Sequence, residues 1–280
     1  MANEKTDIDN AQKAVKQIAG YAVSIPQQTD MVDKAFKSRD KPLEYIRSLI
    51  TGLAKEAKEY RDNVDAAAKT LKAVRKWKSA DAADAVKKLE NALGAADAAV
   101  SALERNAALF DKVWDNCWSA EKALRQVLER TGDAAQTTSA ALQTVRRDMS
   151  AQLATLQKQL DLARRAQQQA VAAAAGGPPS SGSSPADTAA SKGLQSMLTV
   201  LVALAKGCGP QITTAESVCS SIDTALKKED AAYHPDVQRL AQANRKLRQE
   251  LVQLVAAVRA LLGKVVTGVN DSKAVLAGRG

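Results

Sequence analysis

The feature that most constrains the fold of this chain is a run of aliphatic residues spaced alternately three and four positions apart. It begins after Pro42 and continues for nearly five heptads. The residues of this stripe are Leu43, Ile46, Ile50, Leu53, Ala57, Tyr60, Val64, Ala67, Leu71 and Val74. Such spacing places one apolar edge along an α-helix, and a helix of this kind is stable when that edge packs against other helices.

Comparable stripes run from about residue 79 to 128, 142 to 163, 194 to 226 and 237 to 265. Aromatic residues make up only 3% of the chain, and proline and glycine cluster between the stripes. The sequence therefore predicts an all-α protein, an elongated antiparallel bundle of about five long heptad-patterned helices plus a short N-terminal helix.

Four regions are predicted along the chain. Residues 1–41 are expected to form short N-terminal helices, with Pro26 and Pro42 as boundaries. Residues 42–175 are expected to form a three-helix antiparallel coiled-coil region, with turns at 77–79 and at 131–133, where Gly132 suits a helix end. Residues 176–192 have the Gly, Ser and Pro content of a flexible linker. Residues 193–280 are expected to form a two-helix hairpin that completes the bundle, with an interruption at 207–210.

The stretch from Leu194 to Ala205 is the most apolar part of the chain. Its large apolar residues are Leu194, Met197, Leu198, Val200, Leu201, Val202 and Leu204. As a helix it is about 18 Å long, which is too short to cross a hydrocarbon core of about 30 Å. Two interpretations stay open: a helix enclosed by partners in the bundle centre, and a candidate membrane-contacting segment.

A basic run precedes the second long helix and forms a candidate patch for an anionic surface. Its residues are Lys69, Lys72, Arg75, Lys76, Trp77 and Lys78. If the helices alternate in direction, this run and the apolar stretch lie at the same end of the bundle. A basic cluster with an interfacial aromatic beside an apolar helix suits an anionic membrane, whereas a solvated helix end is the alternative explanation.

Trp114 and Trp118 lie one helical turn apart and are a candidate packing anchor, against residues up to Phe36, or a partner site if they are exposed. Asn244 falls on the apolar seam of the last helix, where a polar residue fixes register at some cost in stability.

The sequence gives little support for catalysis. His234 is the single histidine and precedes Pro235 in an expected turn, so metal sites with two histidines and Ser-His or Cys-His arrangements are not available. No glycine-rich phosphate loop is present. We therefore expect no enzyme, no cofactor, no metal and no small-molecule substrate.

The net charge of +9 makes nucleic acid a third candidate partner. Lys and Arg are distributed over every segment and mixed with acids, which disfavours it. The expected partners are proteins or further copies of the chain, bound through helix surfaces, together with an anionic membrane as an alternative.

The first residues are polar and have no secretory signal pattern, and we expect no helix capable of spanning a membrane. A cytoplasmic location is therefore the default expectation, and non-classical secretion is the alternative. The three cysteines, Cys117, Cys208 and Cys219, are expected to be free and largely buried.

The long heptad helices with Leu194–Ala205 between the third and fourth of them resemble the helical pore-forming toxins of the cytolysin A (haemolysin E) type. The resemblance implies a soluble bundle whose apolar head moves out on membrane contact and oligomerises. The alanine-rich helices are also similar to vinculin- and talin-type rods. From the residues themselves, the first hypothesis is a non-catalytic helical scaffold or adaptor with a membrane-contacting tip, and the second is a membrane-inserting toxin component.

Overall fold

The structure, a computed structural model, describes residues 3–176 and 185–278. Over these residues it contains α-helices and one 3₁₀ turn (Glu229–Ala231), with no strand, which confirms the all-α helical bundle. The helices are α1 (Glu4–Ile18), α2 (Tyr21–Ser38), α3 (Leu43–Val74), α4 (Ala80–Gly176), α5 (Pro185–Leu226) and α6 (Pro235–Ala277).

The chain divides into two compact units. Unit 1 comprises residues 1–124 and 230–238, and unit 2 comprises residues 125–229 and 239–280. Helix α4 contributes its first half to unit 1 and its second half to unit 2. This division differs from the predicted one, in which residues 42–175 formed a region of their own.

Unit 1 is built on α3. Ion pairs from Arg47 to Asp111 and from Arg61 to Asp97 show that α3 and α4 run antiparallel. The α1–α2 pair also runs antiparallel to α3, since Gln17 of α1 donates a hydrogen bond to Asn63 at 2.8 Å, and Gln28 of α2 donates one to the earlier residue Tyr60 at 3.3 Å. Of the predicted stripe from Leu43 to Val74, every residue except the half-buried Tyr60 is buried in the core.

In unit 1 the predicted boundary at Pro42 and the predicted turn at 77–79 are confirmed, and the predicted boundary at Pro26 is wrong. Pro42 directly precedes α3, and Ser79 caps α4, because its Oγ accepts a hydrogen bond from the Ala82 N–H at 3.1 Å. Pro26 lies inside α2 instead of ending a helix, and the break falls at residues 19–20. The proline removes one backbone hydrogen bond from α2. Burial of Ile25 and Val32, on either side of the proline, outweighs this loss.

Unit 2 is a three-helix arrangement in which α4 and α6 are parallel and α5 is antiparallel to both. Cys208 Sγ lies 3.2 Å from Met149 Sδ, which joins α5 to α4. Arg259 pairs with Glu216 at 2.5 Å, which joins α6 to α5. Arg164 pairs with Asp271 at 3.6 Å, which joins α4 to α6.

The predicted turn at 131–133 is wrong, because α4 continues through it. Gly132 lies within the helix, which runs from Ala80 to Gly176. The buried residues Leu128, Thr131, Ala135, Thr138 and Leu142 continue the three-four spacing without a shift. Packing of this seam against α6 therefore overrides the local preference of Gly132 for a helix end.

Two further sequence predictions in unit 2 change. The interruption predicted at 207–210 is wrong, since Pro210 lies inside α5 and the preceding Cys208 is buried in the core. Of the predicted linker at 176–192, residue 176 ends α4 and residues 185–192 belong to α5, whereas residues 177–184 lie outside the described part of the chain.

Asn244 occupies the α4–α6 seam as the sequence predicted, and it is 1% exposed. Its Oδ1 accepts a hydrogen bond from the Thr131 hydroxyl at 2.8 Å, and its Nδ2 donates to the Leu128 carbonyl at 2.9 Å. These bonds satisfy the buried amide and fix the register of α6 against α4.

Candidate membrane-facing surface

The apolar stretch of α5 is buried along one edge only. Leu194, Leu201 and Cys208, spaced seven residues apart, are at most 1% exposed and belong to the core of unit 2. Leu194 and Leu201 are therefore excluded from the candidate membrane-contacting set, because their side chains are already buried in the core of unit 2.

Of the remaining members of the set, Met197 packs against the margin of this core, whereas Val200 and Val202 lie outside the buried edge. Met197, Leu198 and Leu204 are half-buried, whereas Val200 and Val202 are 40% and 39% exposed. A helix packed against two neighbours covers one sector of its surface, so apolar side chains beyond that sector add little to the stability of unit 2. The interpretation of this stretch as a helix enclosed on all sides is therefore wrong.

The charged residues within this part of α5 have a single sign. From residue 189 to residue 215 the charged residues are Lys192 and Lys206, both exposed. The first carboxylate after them, Glu216, is paired with Arg259 of α6. This part of α5 therefore presents apolar and cationic groups without a carboxylate among them.

Helix α6 also presents an apolar surface. Within the described residues, only this helix has the length and an apolar enough window, with mean hydropathy 1.6 over 18 residues, to cross a membrane. Only 22% of that window is buried, and Val252 and Val266 are 48% and 59% exposed. The expectation that no helix could span a membrane is therefore corrected for α6, on the basis of its length and composition.

A groove of about 440 Å³ lies between α5 and α6 on this face. It is lined by Leu198, Thr199, Val202, Ala203, Lys206, Val269 and Lys273. Sequence reasoning missed Val269 and Lys273, the α6 residues of this groove, because the predicted stripe ended at Val265; Val269, four residues farther along, carried the signal.

The basic run lies in unit 1, whereas the apolar stretch lies in unit 2. The shared end predicted for them depended on the turn at 131–133, which does not exist.

Trp77 is half-buried, and its Nε1 donates to an Asp7 carboxylate oxygen at 2.9 Å, so it joins α1 to the end of α3. Arg75 pairs with Glu90. The other members of the run, Lys69, Lys72, Lys76 and Lys78, are exposed.

The Trp114 and Trp118 rings stack with centroids 5.3 Å apart. Trp114 Nε1 donates to the Leu43 carbonyl at 2.7 Å, and the Arg47 guanidinium lies 4.8 Å from the centre of the Trp114 ring. Trp114 thus fixes the start of α3 against α4, while Trp118 is 40% exposed.

The single histidine has a structural position. The His234 backbone N–H donates to the buried carboxylate of Glu121, and His234 Nδ1 accepts from the Asp236 N–H at 3.1 Å. Both bonds hold the first turn of α6.

The three cysteines are free, as predicted, and burial raises the pKa of the Cys208 thiol. No cluster of three or more His, Cys, Asp or Glu side chains that could hold a metal ion occurs among the described residues.

Comparisons of this chain with protein-family models, with curated proteins and with solved structures gave no match.

Proposed function

We propose that this chain is a non-catalytic helical bundle protein that acts by binding, and that unit 2 binds an anionic membrane surface through α5 and α6. The observation that carries the proposal is the surplus of apolar side chains outside the packed edge of α5, in a stretch (residues 189–215) whose only charged residues are lysines. Amphipathic helices that lie on membranes combine such an apolar face with Lys or Arg at its border.

The size of the effect supports reversible binding. Insertion of the half-exposed Val200, Val202 and Val266 is worth about 1 kcal/mol each. Each of the exposed lysines Lys206 and Lys273 adds about 1 kcal/mol near an anionic surface. A total of roughly 5 kcal/mol is too little for a permanent anchor, so we expect binding to depend on lipid concentration and to weaken with salt.

Insertion, as in the toxin-like alternative, is supported by the apolar window of α6, which has the length to cross a bilayer. A scaffold function is supported by the exposed Leu109, Val113 and Trp118 on α4 in unit 1, which could receive a partner helix. The membrane proposal is preferred for unit 2 because the exposed Val200 and Val202 of α5 lie in a stretch, residues 189–215, whose only charged residues are lysines.

Liposome flotation tests the proposal. We expect the wild-type protein to float with vesicles containing anionic lipid and to remain soluble with neutral vesicles. Val202→Asp with Val266→Asp changes two exposed positions, so the helical content measured by circular dichroism should persist while flotation falls at least tenfold. Val23→Asp on α2, at a position 64% exposed in unit 1, is the matched control and should float normally.

Wild-type protein that stays soluble with anionic vesicles would overturn the membrane proposal. Release of a trapped dye separates the two modes of binding, because insertion permeabilises the vesicle and surface binding does not.

A further inference from the structure

We infer that the groove between α5 and α6 is a site for a single anionic phospholipid, with the acyl chain along its floor and the phosphate held by Lys206 and Lys273. This inference rests on the proposed function and names the ligand of the same surface.

The floor of the groove is apolar and comes from both helices. Leu198, Val202 and Ala203 lie on α5, and Val269 lies on α6. Its volume of about 440 Å³ falls in the range of sites that hold one small amphiphile. Val266, three residues before Val269 and therefore on a neighbouring part of α6, extends the apolar surface beyond the groove.

The rim of the groove is cationic. Lys206 of α5 and Lys273 of α6 are both exposed, and neither forms an ion pair within the described residues. The nearby carboxylates are engaged elsewhere, Asp271 with Arg164 of α4 and Glu216 with Arg259. No carboxylate lines the groove, so an anion at the rim meets no opposing charge.

The combination selects an amphiphile. An extended acidic peptide would satisfy the lysines but would bring polar backbone groups onto the apolar floor, at a cost in unpaired hydrogen bonds. Inorganic phosphate would leave the floor exposed to water. A lipid with an anionic headgroup satisfies both parts of the groove together, and it is the occupant to which we commit.

Monomeric short-chain lipid tests the inference without a bilayer. Dihexanoyl phosphatidic acid, kept below its micelle concentration, is titrated into the full-length protein with ¹³C-labelled valine methyl groups. We expect saturable shifts at Val202 and Val269. Dihexanoyl phosphatidylcholine should bind at least tenfold more weakly, and inorganic phosphate should not shift these methyl groups.

Lys206→Gln and Lys273→Gln should each weaken lipid binding about fivefold, and together about 30-fold. Lys227→Gln with Lys228→Gln, two exposed lysines of the same unit, is the matched control and should bind like the wild type.

The results separate the inference from the proposal on which it rests. Flotation with anionic vesicles without methyl shifts from the monomeric lipid would overturn the single-lipid site and leave surface binding in place. Shifts that the two glutamine substitutions do not weaken would also overturn the assignment of the phosphate to Lys206 and Lys273. Failure in both assays would overturn the site and the membrane proposal together.

Discussion

Replacement of Gly132 by alanine distinguishes a continuous α4 from a chain that reverses at 131–133. In the structure Gly132 lies inside α4, and no described glycine has a positive φ. A Cβ added at this position would lie 3.5 Å from Asn244 Nδ2 and 3.9 Å from Asn244 Oδ1, which is ordinary van der Waals contact. The substitution therefore fits without movement of the buried amide.

The expected effect is a gain in stability. Alanine is favoured over glycine in a helix interior by about 0.8–1 kcal/mol, because glycine loses more backbone freedom on folding. We expect Gly132→Ala to raise the free energy of unfolding by about 1 kcal/mol and the Tm by about 2–4 °C. If Gly132 instead adopted the left-handed conformation of a helix end, alanine would destabilise the protein by a similar or larger amount.

The measurement is urea denaturation followed by far-ultraviolet circular dichroism. Gly94→Ala is the matched control, since it also lies inside α4 and its added Cβ would meet nothing within 4 Å. Both variants should be more stable than the wild type by similar amounts. A stabilised Gly94→Ala beside a destabilised Gly132→Ala would show that the helix ends near residue 132.

Two further perturbations test packing and charge. Asn244→Ala removes the hydrogen bond with Thr131 and should lower the free energy of unfolding, measured by urea denaturation, by about 2 kcal/mol. An unchanged midpoint would show that the buried amide does not stabilise the seam. In unit 1, a side-chain hydrogen bond from Arg61 holds the pKa of Glu104 below its usual value of 4.5. The pair therefore stabilises the fold above pH 4.5, and this contribution is lost as the pH falls through the depressed pKa of the folded state. Arg61→Gln should therefore lose less stability than the wild type between pH 5 and pH 3, by at most about 1 kcal/mol because Glu104 is 43% exposed, and parallel acid-denaturation curves would contradict the assignment.

The helices themselves were predictable because their period is a direct consequence of burial. The stripe from Leu43 to Val74 packs along one edge of α3, and the helix starts at Pro42, Ser79 and Pro235 follow from capping and proline preferences that act within one turn. These properties are local, so the sequence alone determines them.

The organisation into units was not predicted, because it depends on whether packing overrides a local signal. Thr131, Gly132 and Asp133 have the composition of a turn, yet the buried positions 128, 131, 135, 138 and 142 keep an unbroken register through them. A turn would have reset that register. Polar seam residues such as Thr131 and Thr138 hid the continuity, since a search for aliphatic side chains passes over them.

The charges around the exposed apolar side chains decide between partners. On α4, Leu109 and Val113 are exposed among Arg105, Lys112 and Asp115, a mixture of signs that a protein surface of either sign could match. On α5 the exposed valines have only lysines as charged neighbours between residues 189 and 215. A partner with mixed charges would leave some of its cations facing those lysines without a counter-charge, whereas an anionic lipid surface offers negative groups throughout and an apolar interior directly beneath them. The one-signed border, more than the apolar content of α5, is therefore what favours a membrane for unit 2.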